Sequence, residues 1–123
     1  MMKTGIDIIK TNRIAKFVNN TKFLEKCFTQ HEIKYFNTKP KINVPQVISG
    51  HFALKEAVGK ALGTGLMREG VSFKDIQIMH KESGAPYVVL GGQAGDIFKS
   101  LGSQIEVSIA HTQNIATAIC IIL

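Results

Sequence analysis

The sequence predicts an α+β fold in which an antiparallel sheet is packed by helices. Three observations carry this prediction. Runs rich in β-branched residues stand near both ends of the chain, at 4–9, 104–110 and 115–123. A long helical pattern ending in glycines fills the middle, and strands and helices follow one another in a mixed order. At 123 residues the chain has the size of one domain with a buried core, and we expect a single domain over 1–123.

The first third of the chain is expected to hold a strand followed by short helices. Residues 4–9 form the strand. Thr11 or Asn12 is expected to cap a helix that starts at Arg13. A second short helix is predicted over 21–28, where apolar residues recur at helical spacing.

The middle of the chain predicts two further helices with a loop between them. Thr29 stands three residues before Glu32, which is a capping-box pattern, and the helix it opens is expected to reach Phe36. Residues 37–45 contain two prolines and two lysines and are predicted to form a loop. The long helix then runs to Leu62 and stops at the glycines that follow.

The last third predicts two strand pairs with a helix between them. Strands are expected over 73–79 and 87–90, and a short helix over 94–101. The final pair covers 104–110 and 115–123. The turns of the two pairs lie at 82–86 and 113–114.

Composition bounds the class of protein. Hydrophobic residues make up 45% of the chain, there is no Trp, and the longest apolar run is six residues at the C-terminus. We expect a globular protein with no membrane span and no signal peptide. Cys120 lies within that apolar run, and Cys27 has neither a cysteine neighbour nor metal-ligand spacing. A reducing, cytoplasmic location fits this use of cysteine.

The positive charge is unevenly placed along the chain. Residues 1–41 hold nine Lys or Arg against three Asp or Glu, whereas residues 42–123 hold six of each. One interpretation is a basic, solubilising surface; the other is a docking face for an acidic partner. No zinc-finger spacing, aromatic RNA-binding strand motif or helix-turn-helix is present in the sequence, so we expect an acidic protein rather than nucleic acid.

The helix over 50–62 carries a pattern with two interpretations. Phe52, Glu56 and Lys60 fall on one stripe, and His51 and Lys55 fall on a neighbouring one. A carboxylate and an ammonium one turn apart can form a surface ion pair worth about 0.2–0.5 kcal/mol. The same two groups can instead hold a metal and a phosphate.

Asp7 interrupts an otherwise apolar strand. A carboxylate at such a position is costly unless it is paired or bound to a cation. Its partner is therefore a helix N-terminus, a nearby lysine or a metal ion.

Several segments together identify a family resemblance. The chain resembles the holo-[acyl-carrier-protein] synthase family, a small trimeric group of 4′-phosphopantetheinyl transferases, from about residue 4 to residue 123. The central motif is the longest and most specific of them. The matching segments are G-I-D-I at 5–8 with R-I at 13–14, F-A-L-K-E-A-V-G-K-A-L-G-T-G at 52–65, F-K-D-I at 73–76, G-A-P at 84–86 and V-S-I-A-H-T at 107–112.

This resemblance implies an activity. The family transfers 4′-phosphopantetheine from coenzyme A to a serine of apo-acyl carrier protein, with Mg²⁺, and releases adenosine 3′,5′-bisphosphate. The reaction supports fatty acid biosynthesis. The resemblance also implies a homotrimer with active sites between subunits. The competing interpretation is a basic module without catalytic activity that binds nucleic acid or an acidic protein. Two carboxylates, at Asp7 and Glu56, favour the transferase, since a phosphate-binding surface gains nothing from them without a cation.

The resemblance also implies roles for the motif residues in catalysis. Asp7 and Glu56 hold Mg²⁺, which prefers oxygen ligands and keeps several waters. Lys60 contacts the phosphates as a point charge. Gly63 and Gly65 let the backbone approach the coenzyme, and they can also simply end the helix. The base that accepts the serine proton is left open between the two carboxylates and a water on the metal.

Further contacts are implied at the nucleotide end. His111 and Thr112 are expected to touch the nucleotide of coenzyme A. His51 stands where the family usually has Arg, so a phosphate contact there is expected to be weaker, because His is largely neutral at neutral pH. Lys39 or Lys41 in the preceding loop is a candidate to compensate.

The acyl carrier protein is expected to dock on the first helix. Acyl carrier proteins are acidic, and the excess positive charge lies in the first third of the chain. The residues assigned to this docking are Lys10, Arg13 and Lys16.

Overall fold

The computed structural model describes all residues from 1 to 123 and contains five strands and five helices. Two short 3-10 turns lie at Lys41–Asn43 and Phe73–Asp75. The order along the chain is β1 Lys3–Lys10, α1 Thr11–Ala15, α2 Thr21–Cys27, α3 Gln30–Asn37, α4 Val44–Leu62, β2 Ile76–His80, β3 Pro86–Leu90, α5 Gly92–Leu101, β4 Ile105–His111 and β5 Ile115–Ile122.

The strands form two antiparallel sheets, as the predicted α+β class requires. The larger sheet has the order β1-β5-β4, and β2 and β3 pair as a separate ribbon. Within the larger sheet, Asp7 lies opposite Ala118, and Ala118 lies opposite Ile109 on the other side. Because side chains alternate along a strand, Asp7 and Gly5 point to the same face of this sheet.

Helix α4 packs directly on that face. A Cβ on Gly5 would overlap the carbonyl oxygen of Ala57 and lie 2.7 Å from the amide nitrogen of Ala61. A Cβ on Gly50 would lie 2.8 Å from a methyl carbon of Ile109 on β4. Glycine at both positions therefore lets the helix backbone approach the sheet closely. This approach is what brings the Glu56 side of α4 next to β1.

The opposite face of the larger sheet carries exposed apolar side chains. Ile6 and Ile8 on β1 are 63% and 66% exposed, and Ile119 on β5 is 39% exposed. Ile6 and Ile119 are register partners, so these side chains form one continuous patch. Monomeric proteins seldom leave such a patch on a sheet uncovered.

A buried ion pair joins helices α3 and α4. Lys55 Nζ lies 2.7 Å from Glu32 Oε1, and both side chains are fully buried. The same ammonium donates to the carbonyl oxygens of Cys27 at 2.8 Å and Phe73 at 3.1 Å, and the other carboxylate oxygen accepts from Ile78 N at 2.7 Å. Burial lowers the pKa of Lys55, and the Glu32 carboxylate opposes that shift. The network ties α3, α4 and β2 together.

Several sequence predictions of element ends are confirmed. The strand over 4–9, the capping box and the final strand pair all appear, each within two residues of the expected ends. Thr29 Oγ1 accepts from Glu32 N at 3.2 Å, and Glu32 Oε1 accepts from Thr29 N at 2.7 Å.

Three local predictions are wrong. Helix α1 begins at Thr11 rather than Arg13, and the Thr11 hydroxyl donates to Gln113 O at 2.7 Å instead of capping the helix. The second half of the predicted loop 37–45 is helical, because Pro45 is tolerated in the first turn of α4. The first three residues of the predicted strand 73–79 form a 3-10 turn closed by an Asp75 capping box.

None of the helices combines the length and apolar character needed to cross a bilayer.

Candidate active site

Strand β1 and helix α4 bring together the three residues expected to act in catalysis. Lys60 Nζ lies 3.0 Å from Asp7 Oδ1 and donates to the carbonyl oxygen of Ile6 at 2.9 Å. Glu56 is half-buried and makes no ion pair. The interpretation of Glu56 and Lys60 as a surface ion pair is therefore wrong, because Lys60 pairs with Asp7 on β1 instead.

Charge and burial act together on the carboxyl group of Glu56. Burial raises its pKa, the nearby Asp7 carboxylate raises it further, and the Lys60 ammonium opposes both. The two carboxylates are thus close enough to repel each other, and one lysine partly offsets that repulsion. Such a place gains from a bound cation.

The donor set at this place fits Mg²⁺. Asp7, Glu56 and the carbonyl of Ile6 supply hard oxygen atoms, and the Lys60 ammonium already lies among them as a cation. No group of three or more His, Cys, Asp or Glu side chains is placed to hold a metal. Two carboxylates suit an ion that keeps waters and completes its shell with substrate phosphates.

The end of α4 is built by glycines with left-handed backbone angles. Gly63 and Gly65 have φ of +87° and +72°, and Gly65 N donates to Gly59 O at 3.0 Å across the helix end. A Cβ at either of the two glycines would meet nothing within 4 Å. Their requirement for glycine is therefore one of backbone angle, and they terminate the helix about two turns beyond Glu56 and about one turn beyond Lys60.

A groove of about 410 Å³ lies toward the other end of α4. It is bounded by the end of α3, the first half of α4, the turn between β2 and β3, and the end of β4. The side chains that define it are Tyr35, Lys39, His51, His80, Pro86 and His111.

His51 lies in the wall of this groove as a neutral ring. Its side chain is only 5% exposed, and Nδ1 lies 2.7 Å from the carbonyl oxygen of Val47, to which it must donate. Nε2 is buried and has no hydrogen-bond partner. Burial lowers the pKa of His51 to about 3, and the positive charges of His80, Lys55 and Lys39 act in the same direction. The phosphate contact expected at this position stays a prediction, and His51 offers it neither charge nor a free N–H.

Tyr35 and His80 form an aromatic stack that the sequence did not indicate. Their rings are 4.0 Å apart and nearly parallel, and the His80 ring lies 5.1 Å from that of His51. Lys39 Nζ lies 4.6 Å from the centre of the Tyr35 ring. Burial lowers the pKa of His80, and Lys39 and His31 add to that effect. No local pattern could have predicted this stack, since it joins α3 to the end of β2.

Of the two residues expected to contact the nucleotide, one lines the groove and the other does not. His111 is exposed at the end of β4 and lines the groove. Thr112 lies outside the groove, and its hydroxyl oxygen accepts from the amides of Asn114 and Ile115, both at 3.2 Å. Thr112 therefore shapes the turn between β4 and β5.

Comparison with known proteins decides the family. A sequence model described as the 4′-phosphopantetheinyl transferase superfamily matches residues 3–120. The chain belongs to this superfamily. It is 47% identical over 119 residues to the holo-[acyl-carrier-protein] synthase of Thermoanaerobacter sp. strain X514, covering 95% of this chain and 83% of that one. It is 42% identical over 120 residues to the holo-[acyl-carrier-protein] synthase of Clostridium acetobutylicum, covering 96% and 94%.

Solved structures agree with this assignment. The crystal structure of the Helicobacter pylori holo-[acyl-carrier-protein] synthase in complex with coenzyme A aligns with a TM-score of 0.84 and 34% identity, over 98% of this chain and 99% of that one. A complex of the Bacillus anthracis synthase with coenzyme A (3′,5′-ADP) aligns with a TM-score of 0.82 and 31% identity, over 99% and 97%. The chain is thus an enzyme, a phosphopantetheinyl transferase, and its α+β class is confirmed.

The basic residues expected to dock the carrier are exposed on consecutive segments of the chain. Lys10, Arg13 and Lys16 are all exposed, on the end of β1 and on and just after α1. Lys16 Nζ lies 5.6 Å from the centre of the Phe17 ring. Lys10 follows Asp7 by three residues on β1, so its side chain points to the opposite face of the sheet, the face of Ile6 and Ile8.

Proposed function

We propose that this transferase moves 4′-phosphopantetheine from coenzyme A to a serine of apo-acyl carrier protein in an Mg²⁺-dependent reaction. The observation that carries the proposal is the convergence of Asp7, Glu56 and Lys60, in a chain that belongs to the superfamily. Two aligned relatives were crystallised with coenzyme A. The product serves fatty acid biosynthesis in the cytoplasm, where acyl carriers work.

The bond changes define what the site must do. The serine oxygen bonds to the β-phosphorus of the coenzyme, and the bond from that phosphorus to the bridging oxygen breaks. Adenosine 3′,5′-bisphosphate leaves with the bond electrons. Such a transfer needs alignment and neutralisation of phosphate charge more than covalent help from the protein.

Asp7 and Glu56 are the residues that would hold Mg²⁺. When bound, the ion offsets charge on the pyrophosphate. Lys60 would then leave its ion pair with Asp7 and contact a phosphate oxygen. Its side chain is 52% exposed and can turn toward a ligand. The acceptor of the serine proton is one of these two carboxylates or a water on the metal.

The groove would receive the nucleotide end of the coenzyme. His51 precedes Glu56 by five residues on α4, which places the groove about 7.5 Å along the helix axis from the carboxylates. His51 and Lys60 are nine residues apart and lie on opposite sides of α4, so one coenzyme that uses both the groove and Lys60 would bridge two subunits of the proposed trimer. Thr112 would act by shaping the turn that carries His111.

We also propose a homotrimer with active sites between subunits. The exposed apolar face of the larger sheet, formed by Ile6, Ile8 and Ile119, supports this assembly. The groove and the basic surface are both open to solvent in a single chain, so a second subunit can border them.

Mass spectrometry of the carrier tests the function directly. Apo-acyl carrier protein is incubated with coenzyme A, Mg²⁺ and the enzyme, and the carrier is expected to gain the mass of 4′-phosphopantetheine. Glu56→Gln is the matched control and should leave the carrier mass unchanged at equal enzyme concentration. A wild-type protein that binds the carrier without changing its mass would instead support the basic module without catalytic activity.

A further inference from the structure

The ammonium of Lys55 has no hydrogen-bond donor left for a ligand. Its Nζ donates to Glu32 Oε1 at 2.7 Å, to Cys27 O at 2.8 Å and to Phe73 O at 3.1 Å. A lysine ammonium has three N–H donors, so all three are used inside the protein. The side chain is also fully buried. Lys55 therefore does not contact coenzyme A, although it stands next to Glu56 in the chain.

The partners of this buried pair come from four different segments. Glu32 lies on α3, and Cys27 is the last residue of α2. Phe73 opens the 3-10 turn before β2, and Ile78 on β2 donates its amide to Glu32 Oε2 at 2.7 Å. Lys55 thus holds α4 at one point to α2, α3 and the start of β2.

The sheet side of α4 lacks such a fixed point. The helix meets the sheet where Gly5 lies against Ala57 and where Gly50 lies against Ile109. Contacts made by glycine and alanine offer few side chains that interlock, so they set the distance of α4 from the sheet rather than its rotation. Lys55 follows Gly50 by five residues, which places it about 140° around the helix from that contact. The Lys55–Glu32 pair therefore supplies the constraint that the sheet contact leaves out.

The carboxylate of Glu56 lies on the third side of α4. Consecutive residues of a helix diverge by about 100°, so Glu56 points between the Lys55 side and the sheet side. Side chains reach about 5–6 Å from the helix axis, so a rotation of about 10° moves this carboxylate by about 1 Å. Functional groups in a site tolerate only about 0.5 Å. The distance from Glu56 to Asp7 therefore depends on how Lys55 is held.

We infer that the buried Lys55–Glu32 pair positions Glu56, because it sets the rotation of α4 and with it the distance between the Glu56 and Asp7 carboxylates. The inference rests on the proposed function, in which these two carboxylates hold Mg²⁺. Lys55 and Glu32 are positioning residues in this role, since neither touches the ion or a substrate. Their loss should weaken metal binding by more than the accompanying loss of stability explains.

Two variants separate positioning from stability. Lys55→Met leaves a buried carboxylate without its cation, so this variant should be both less stable and misaligned. Lys55→Met combined with Glu32→Gln contains no buried charge and should regain most of the thermal stability, because replacing both partners of a buried pair by neutral groups is often neutral. The double variant does not restore the contacts between the four segments, so α4 stays misaligned. Leu101→Ala is the control, since it removes core packing from α5, which contributes no residue to the candidate site.

Metal binding is measured without turnover. Mn²⁺ is titrated in place of Mg²⁺, with coenzyme A and without carrier, at a temperature where thermal unfolding shows each protein to be folded. Electron paramagnetic resonance reports the free ion. The single and the double variant should both bind Mn²⁺ about 10–100-fold more weakly than the wild type, the usual cost of losing a group that orients a metal ligand. Leu101→Ala should bind Mn²⁺ as the wild type does, and the KM for the carrier should be unchanged in all variants.

Wild-type Mn²⁺ affinity in the folded double variant would overturn the inference, and the pair would then serve stability alone. An equal loss of Mn²⁺ affinity in Leu101→Ala would overturn it too, because any loss of stability would then weaken the site. If Lys55→Met does not fold, the double variant decides alone. Transfer and Mn²⁺ binding by the wild type are measured in parallel. If the wild type neither transfers nor binds Mn²⁺, the proposed function fails; if it does both and the double variant binds Mn²⁺ equally well, only the positioning role fails.

Discussion

Asp7 and Glu56 come from different elements, and each has an environment that explains its use. Asp7 is 19% exposed and paired with Lys60, whereas Glu56 is half-buried and unpaired. A structural role would be satisfied by the ion pair alone and would leave Glu56 unexplained. The proposed cation, shared between the two carboxylates, would account for both.

Removing either carboxylate should therefore abolish most transfer while the fold survives. Asp7→Ala and Glu56→Ala are each expected to lower the Mg²⁺-dependent rate by about 10²–10³, the usual cost of losing an electrostatic stabiliser. The measurement is carrier modification across a range of Mg²⁺, with circular dichroism to confirm folding. Asp96→Ala, at an exposed carboxylate on α5, is the control and should stay active. Near-normal turnover of either variant at low Mg²⁺ would remove the metal assignment.

His51 makes stability depend on pH with a predictable sign. Its pKa is about 3 in the folded protein and near 6.5 when unfolded, so acid favours the unfolded chain, which binds the proton more tightly. The stabilisation is complete above about pH 6.5 and is lost as the pH falls, by up to about 1.4 kcal/mol per pH unit.

Denaturant unfolding of the wild type and His51→Gln between about pH 7 and pH 5 measures this effect. The free energy of unfolding of the wild type should fall more steeply than that of the variant, because all other titrating groups are common to both. Parallel curves would show that His51 is protonated in the folded protein.

At the scale of elements, the contact between β1 and α4 sets the distance between Asp7 and Glu56. Gly5→Ala would place a methyl group against the backbone of Ala57, which cannot yield without moving the strand. We expect a loss of about 1–3 kcal/mol in the free energy of unfolding, the usual cost of overpacking, and a marked loss of transfer.

Gly91→Ala is the matched control for that variant. Gly91 has φ of −120°, and a Cβ there would meet nothing within 4 Å. The measurements are the thermal unfolding and the transfer rate of Gly5→Ala and Gly91→Ala under the same conditions. If Gly5→Ala is as stable and active as Gly91→Ala, the close packing of β1 on α4 is not required.

Local signals predicted most of the elements but not the contacts between them. The capping box at Thr29 and the final strand pair are set by neighbours in sequence, and both are confirmed. The burial of Lys55 depends on Glu32, which is 23 residues away, so a helix stripe alone could not reveal it.

In the candidate site, too, the sequence predicted the residues but not the contacts between them. Asp7, Glu56 and Lys60 were expected from motifs, whereas the pairing of Lys60 with Asp7 rather than Glu56 depends on how β1 lies on α4. The Tyr35–His80 stack likewise arises only when α3 meets β2.

At the scale of the whole molecule, the exposed apolar sheet face should be covered by other copies of the chain. Ile119→Lys places a charge in the middle of that face and should convert the proposed trimer to a monomer in analytical ultracentrifugation, with loss of transfer if subunits share sites. Val89→Lys is the control, since Val89 is 54% exposed on the separate β2–β3 ribbon. A trimer that persists in Ile119→Lys would place the subunit interface elsewhere.

The charge asymmetry of the molecule should govern how it meets its carrier. Nine of the 15 lysines and arginines precede residue 42, and Arg13 is exposed on α1, the helix that follows β1. Exposed charges interact over a screening length of about 8 Å at physiological ionic strength, so they act mainly on the rate of encounter. Arg13→Glu should therefore slow association with an acidic carrier and flatten the dependence of that rate on salt.

The affinity for coenzyme A should barely change in Arg13→Glu, because the proposed function assigns the pyrophosphate to Lys60 and the nucleotide to the groove lined by His111. The measurement is transfer rate against carrier concentration for the wild type and the variant, at low and high salt, with calorimetry of coenzyme A alongside. Lys99→Glu on α5 reverses an equivalent exposed charge far from α1 in sequence and serves as the control. If the transfer rates of Arg13→Glu and Lys99→Glu depend on carrier concentration as that of the wild type does, the basic first third only solubilises the protein. The carrier then docks on another surface.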